Sequence, residues 1–398
     1  MTLSDTALIP AGTGDTTAAP GPGAGTGAGT GTKQGRGGQR LYALDGLRLL
    51  AALSVLFFHY LSRGGEASDA WGQPSREILP SVTPFTDYGW LGVEFFFLIS
   101  GFVICMSAWG RGLGQFFRSR ITRLYPAYWA AIVLLSVATA VFPVLAHRPD
   151  VHRVLLNLTM LHEPLGTPAV SGVFWSLWVE LRFYLLFALV VWRGVTYRST
   201  VAFCCLWTVG TVITHAANDR LLNNLLVPTY SAYFIAGIGF YLIHRFGSHA
   251  MAWGIVGVSW LIAQETVLAE TERFSKIIHA DLSGGVASAV VTACFVVMAG
   301  VALGWFRHLN WRRLTFAGTL TYPLYLVHES LGHLMIYGLH DHLSPATTVA
   351  ATTVAMLVLA WLLHVLAEKP LARRLKRTLE RPLPSSGIGR RANAQPPS

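Results

Sequence analysis

The chain has 398 residues, of which 53% are hydrophobic and only 13% charged, with a net charge of +10; soluble domains carry roughly 25% charged residues. Such a composition excludes a soluble globular domain, which could not cover that much apolar surface, and it excludes a disordered chain for the same reason. A multi-spanning membrane protein remains.

Residues 1–40 consist largely of Gly, Thr, Ala and Pro. They hold almost no large apolar side chain, so they cannot bury a core and are predicted to form a disordered tail. They also lack the basic and apolar regions of a signal peptide. From Leu44 onward, ten apolar runs follow at about 46–63, 89–108, 124–145, 174–192, 200–217, 228–244, 251–268, 284–305, 315–336 and 347–367. Each approaches the ~20 residues that a bilayer core requires. The expected fold class is therefore an all-α, polytopic membrane bundle of about ten transmembrane helices. An even number of spans puts both termini on one side. Of the 30 Lys and Arg, only Arg63, Arg76, Arg148, Arg153, Arg220, Arg273 and Lys276 fall on the opposite side, and Arg48 and Arg182 lie within runs. The positive-inside rule then places both termini in the cytoplasm. The excess charge reads as topology, not as a nucleic-acid surface. Cys105, Cys204, Cys205 and Cys294 lie in apolar runs without zinc-ligand spacing or a disulfide framework, so no metal site is expected.

Ionisable groups inside a bilayer are costly and mark functional paths. In the first run, Arg48 and His59 are 11 residues apart, which leaves them about 20° apart on one helix face and roughly 16 Å apart along the axis. The second run carries Glu94, the fourth Glu180 and Arg182, and the ninth His328 and Glu329. Placing each on its span puts His59, Glu94, Glu180 and His328 at one depth, in the outer half, and predicts one shared polar cavity. The plainer readings are an interhelical hydrogen bond for His59, a packing hydrogen bond for Glu94 and a local Glu180–Arg182 ion pair. Imidazole titrates near neutrality and can accept a hydroxyl proton, and a nearby carboxylate can orient it. Arg118, Arg120 and Arg123, with Arg48, suit an anionic, phosphate-rich cofactor. No nucleophile elbow, Walker loop or HExxH motif is present.

Together these motifs resemble the acyltransferase-3 family of integral-membrane O-acyltransferases. Leu44-Asp45-Gly46-Leu47-Arg48 followed by apolar residues to His59 resembles the family's opening Arg-x10-His motif. Gly92-Val93-Glu94 through Ser100-Gly101 resembles its second-span signature, and Arg118 through Trp129 its basic loop. Asn157 through His162, Trp175 through Tyr184, Tyr325 through His328 and Glu368-Lys369-Pro370 resemble the later motifs. Trp178 departs from the pattern, standing where a small residue or Pro is common. The resemblance covers about 41–377 and leaves a basic, Pro-rich cytoplasmic tail at 378–398. It implies transfer of an acyl group, acetyl in the first instance, from cytoplasmic acyl-CoA as co-substrate, with no bound cofactor. The acceptor would be a hydroxyl on a glycan or glycosylated small molecule. Carried over, His59 is the base or acyl-handling residue and Arg48 its partner. Glu180 and the 118–123 arginines come next, with Glu94 and His328 shaping the cavity. The protein is expected to be multi-pass in the plasma membrane, in contact with its lipids. The competing reading is a proton-coupled transporter, since buried His and Glu also form proton relays. That reading calls for paired halves with broken helices, and no internal repeat is found in the sequence.

Overall fold

The computed structural model describes residues 41–380, apart from 146, 147, 218, 310 and 312. The predicted 1–40 tail and nearly all of the 378–398 tail lie outside the described residues. Among those described, every regular element is helical. Ten long helices lie over the ten apolar runs: α1 (Tyr42–Leu61), α2 (Leu91–Ala108), α3 (Leu113–Val141), α4 (Trp175–Arg193), α5 (Tyr197–Ala217), α6 (Pro228–Phe246), α7 (Ala250–Ile278), α8 (Gly284–Leu303), α9 (Arg313–Leu339) and α10 (Pro345–Leu363). A basic helix, α11 (Lys369–Glu380), follows α10 after a short π-helical stretch. Among the described residues, eight helices are long and apolar enough to cross a membrane. The two predicted spans outside that set are α5 and α9. In α9 the midsection carries Tyr322, Tyr325, His328, Glu329 and His333, which dilute its apolar character.

The order of packing places the polar groups. α1 lies against both α2 and α9, α2 packs on α6, and α6 in turn touches α5, α7 and α8. α2 and α6 approach closely because glycines meet there. A Cβ on Gly101 would lie 2.1 Å from the Phe234 carbonyl oxygen, and one on Gly237 would lie 2.2 Å from that of Leu98. α6 is buried on nearly every side. By contrast, Leu189, Leu206, Leu261, Val296 and Val354 stand exposed on the outward faces of α4, α5, α7, α8 and α10. Apolar outside and polar within is the distribution that a bilayer favours, because each polar group in lipid must find its partner inside the bundle.

Candidate active site

α1 ends where Gly64 and Gly65 follow Arg63; Gly65 has φ +64°. His59 therefore sits in the last turn of α1. Its Nδ1 lies 3.3 Å from Oε1 of Glu329 on α9. Arg63, one turn further along, pairs with the same carboxylate oxygen and passes 3.2 Å from Nδ1. The other oxygen, Oε2, accepts hydrogen bonds from Ser171 Oγ at 2.9 Å and the Val173 amide at 3.0 Å. Glu329 is completely buried, and two chain segments, 59–63 and 171–173, hold its carboxylate in place. Two further bonds stitch α1 to α9. His333 Nε2 donates to the His59 carbonyl at 2.9 Å, and Tyr60 donates to the His328 carbonyl at 3.0 Å. The tautomer that donates to the carboxylate carries its proton on Nδ1 and leaves Nε2 with a free lone pair, whereas the tautomer that accepts from Arg63 at Nδ1 carries its proton on Nε2.

His59 lines a cavity of about 320 Å³ together with Arg63, Glu94, Glu163, Trp175, Tyr230, Arg273 and Tyr325. Glu94 sits in the first turn of α2, is 5% exposed, and has no hydrogen-bond partner for its Oε2 among the described residues. Glu163 belongs to the loop between α3 and α4. Burial pushes its carboxyl up from the ordinary value, and Arg182 partly offsets this. Neighbouring His162 is pushed down by burial and by the positive charge of Arg153. A second cavity, of about 100 Å³, is lined by Arg48, Ser100, Arg120, Arg123, Glu180 and Tyr184 among others. Val93 and Tyr325 line both cavities, so these two side chains form the wall between them. The Tyr325 hydroxyl lies 2.7 Å from Ser176 Oγ.

Several residues fall elsewhere than the sequence predicts. Glu180 is not in the cavity of His59. It lies five residues beyond Trp175, about 7.5 Å along the helix axis, and this puts it in the arginine-lined cavity. There its Oε1 accepts from Ser100 and Tyr184, each at 2.6 Å. It forms no local pair with Arg182, whose Nη1 donates to the Asn224 carbonyl at 2.9 Å and whose guanidinium lies over Trp178. The single predicted cavity is thus two. Arg48, Arg120 and Arg123 come together, but Arg118 does not join them. Two residues of helix turn it about 200° from Arg120, and it faces a different cavity with Arg111. Arg120 is nearly buried, its Nη2 donating to Ser107 at 3.0 Å and Ser119 at 3.2 Å. His328 packs edge-on against His59, with ring centroids 5.2 Å apart, and is held by a 2.9 Å contact between its Nδ1 and the Tyr325 carbonyl. It does not line the cavity of His59. The sequence missed Glu329, Arg63 and Ser171 as site residues. Glu329 had a signal, since it follows His328 inside an apolar run. Arg63, just past the first apolar run, carries no local signal in the sequence beyond an outer-side charge.

A family model described as an acyltransferase domain matches residues 41–365. Acyltransferase MdmB of Streptomyces mycarofaciens is 27% identical over 376 residues, covering 85% of this chain and 93% of that protein. Nodulation protein 10 of Rhizobium leguminosarum bv. viciae is 27% identical over 364 residues, covering 84% of this chain and 94% of its own length. The peptidoglycan O-acetyltransferase OatA of Listeria monocytogenes is 24% identical over 168 residues, 36% of this chain and 23% of that protein. No solved structure matches.

Proposed function

Because the chain belongs to the acyltransferase-3 family, we propose that it moves an acyl group, acetyl in the first instance, from cytoplasmic acyl-CoA to a hydroxyl of a sugar-containing acceptor. The observation that carries this reading is the His59–Glu329 pair, set in a cavity that shares one wall with an arginine-lined cavity. The family relative named as a peptidoglycan O-acetyltransferase supports a glycan acceptor.

In this reading, Arg48, Arg120 and Arg123 take the phosphates of the donor, because guanidinium forks match phosphate oxygens. The thioester passes Val93 and Tyr325 to reach His59. The acceptor hydroxyl gives its proton to Nε2 of His59 while its oxygen adds to the thioester carbonyl. The tetrahedral adduct collapses, the carbon–sulfur bond breaks, and the imidazolium returns the proton to the departing thiolate. Glu329 stabilises that imidazolium against the nearby positive charge of Arg63, which shares the same carboxylate. Lipid covers the outward apolar faces, both termini lie in the cytoplasm, and the host membrane is the plasma membrane.

The test uses membranes from cells expressing the wild type, His59→Ala or Glu329→Gln, incubated with radiolabelled acetyl-CoA and the cell's own glycans and small metabolites. The wild type adds one acyl mass to an acceptor. His59→Ala inserts normally and adds none. Glu329→Gln falls by about 10²–10⁴-fold, the usual contribution of a positioned acid–base group. Full transfer by inserted His59→Ala would rule out the assignment.

A further inference from the structure

The cavity that takes Arg118 lies on the far side of α3 from Arg120, between α3 and the basic helix α11, which pack against each other. It has a volume of about 430 Å³ and is lined by Arg111, Gln115, Arg118, Ser119, Thr122, Lys376, Leu379 and Glu380. Gln115, Arg118, Ser119 and Thr122 recur at the spacing of one helix stripe. The opposite stripe of α3, with Phe116, Arg120 and Leu124, is the one buried in the bundle. On the facing helix, Lys376, Leu379 and Glu380 follow the same periodicity.

Two helices in contact ordinarily close their seam with interdigitated side chains. Here they leave an open polar groove, with the exposed Arg111 and Arg118 on one side and the Lys376–Glu380 pair on the other. Glu380 lies 3.9 Å from Lys376 and balances that lysine alone. Among the described residues, the guanidiniums of Arg111 and Arg118 have neither an ion pair nor a hydrogen bond. The two unpaired guanidiniums, Arg111 and Arg118, both exposed, give this place a positive potential that attracts an anion. Guanidinium forks, a lysine, a serine hydroxyl and a glutamine amide make a donor set matched to a phosphate group and offer it a single carboxylate, already paired.

We propose that this cavity between α3 and α11 is a phosphate-binding site, separate from the cavity of Arg48, Arg120 and Arg123. Two molecules can supply the phosphate. One is the headgroup of an anionic lipid, since α11 follows the last long apolar helix and is a basic amphipathic helix suited to a membrane surface. The other is the 3′-phosphate of the acyl donor, and only that source rests on the function proposed above.

The experiment compares the purified full-length chain with Arg111→Gln/Arg118→Gln and with Arg373→Gln/Arg377→Gln. The last variant removes equal charge from α11 outside the cavity. Native mass spectrometry measures phosphatidylglycerol against phosphatidylcholine, and equilibrium dialysis measures CoA against 3′-dephospho-CoA. A preference of tenfold or more for phosphatidylglycerol, lost only in the Arg111/Arg118 variant, supports the site with lipid as occupant. A tenfold preference for CoA over 3′-dephospho-CoA, lost only in that variant, supports it with the donor as occupant. Arg118→Lys keeps the charge without the fork and gives an intermediate loss in either case, which guards against a folding artefact. If the Arg111/Arg118 variant matches the wild type with both pairs of probes, or if the Arg373/Arg377 variant loses as much, the proposal is overturned.

Discussion

A carboxylate held against an imidazole needs space behind it, and at Glu329 that space is provided by Gly172. A Cβ at position 172 would lie 2.8 Å from Oε1 and 2.9 Å from Oε2, too close for either oxygen to stay. Gly172→Ala should therefore push the Glu329 side chain off its bonds to Ser171 and Val173 and away from His59. The expected outcome is a tenfold or greater drop in acyl transfer with normal membrane insertion, read by labelled acyl incorporation; wild-type activity would contradict it. The residue-scale reading of the sequence picked out His59 correctly as a buried polar group, because an imidazole in an apolar run is conspicuous. It passed over Gly172 and Ser171, which lie in a loop distant in sequence from both partners. Their importance comes from a contact across more than 150 residues of chain, and no local pattern encodes that contact.

Helix periodicity tells which residues share a face, and this is where Arg118 parts from Arg120 and Arg123. Steps of 100° put Arg120 and Arg123 within about 60° of each other and Arg118 on the other side. The separation was thus present in the sequence, although proximity along the chain suggested a single cluster. Which face turns inward was not, since α3 has apolar residues on several sides. At the α2–α6 seam the sequence shows two glycines in separate runs, and only the packing makes them neighbours. Gly237→Val would drive its side chain into the backbone of α2, where the Cβ alone already falls 2.2 Å from the Leu98 carbonyl. Overpacking of this kind costs about 1–3 kcal/mol and can cost more. The variant should unfold at a clearly lower temperature in detergent and lose acyl transfer with it, because α2 carries Glu94 and α6 carries Tyr230 into the cavity of His59. An unchanged thermal midpoint would show that the seam can yield.

For the whole molecule, the distribution of Lys and Arg makes a prediction that the packing of helices does not. If both termini face the cytoplasm, a C-terminal green fluorescent protein fusion should fluoresce and a C-terminal alkaline phosphatase fusion should be inactive; the reverse pattern would invert the topology. The helical class and the positions of the ten long helices were legible from composition and apolar run length, because a bilayer demands about 20 apolar residues per crossing whatever the neighbours are. The few ionisable residues inside those runs also stood out, since a charge in lipid is too costly to be accidental. Tertiary structure alone decided how these groups are divided. It joined His59 to Glu329, moved Glu180 to the arginine-lined cavity and set Tyr325 between the two. The physical reason is that run length and charge fix only depth and cost along one axis. Pairing depends on the rotation and offset of helices from distant parts of the chain, and those are set by side-chain packing between them.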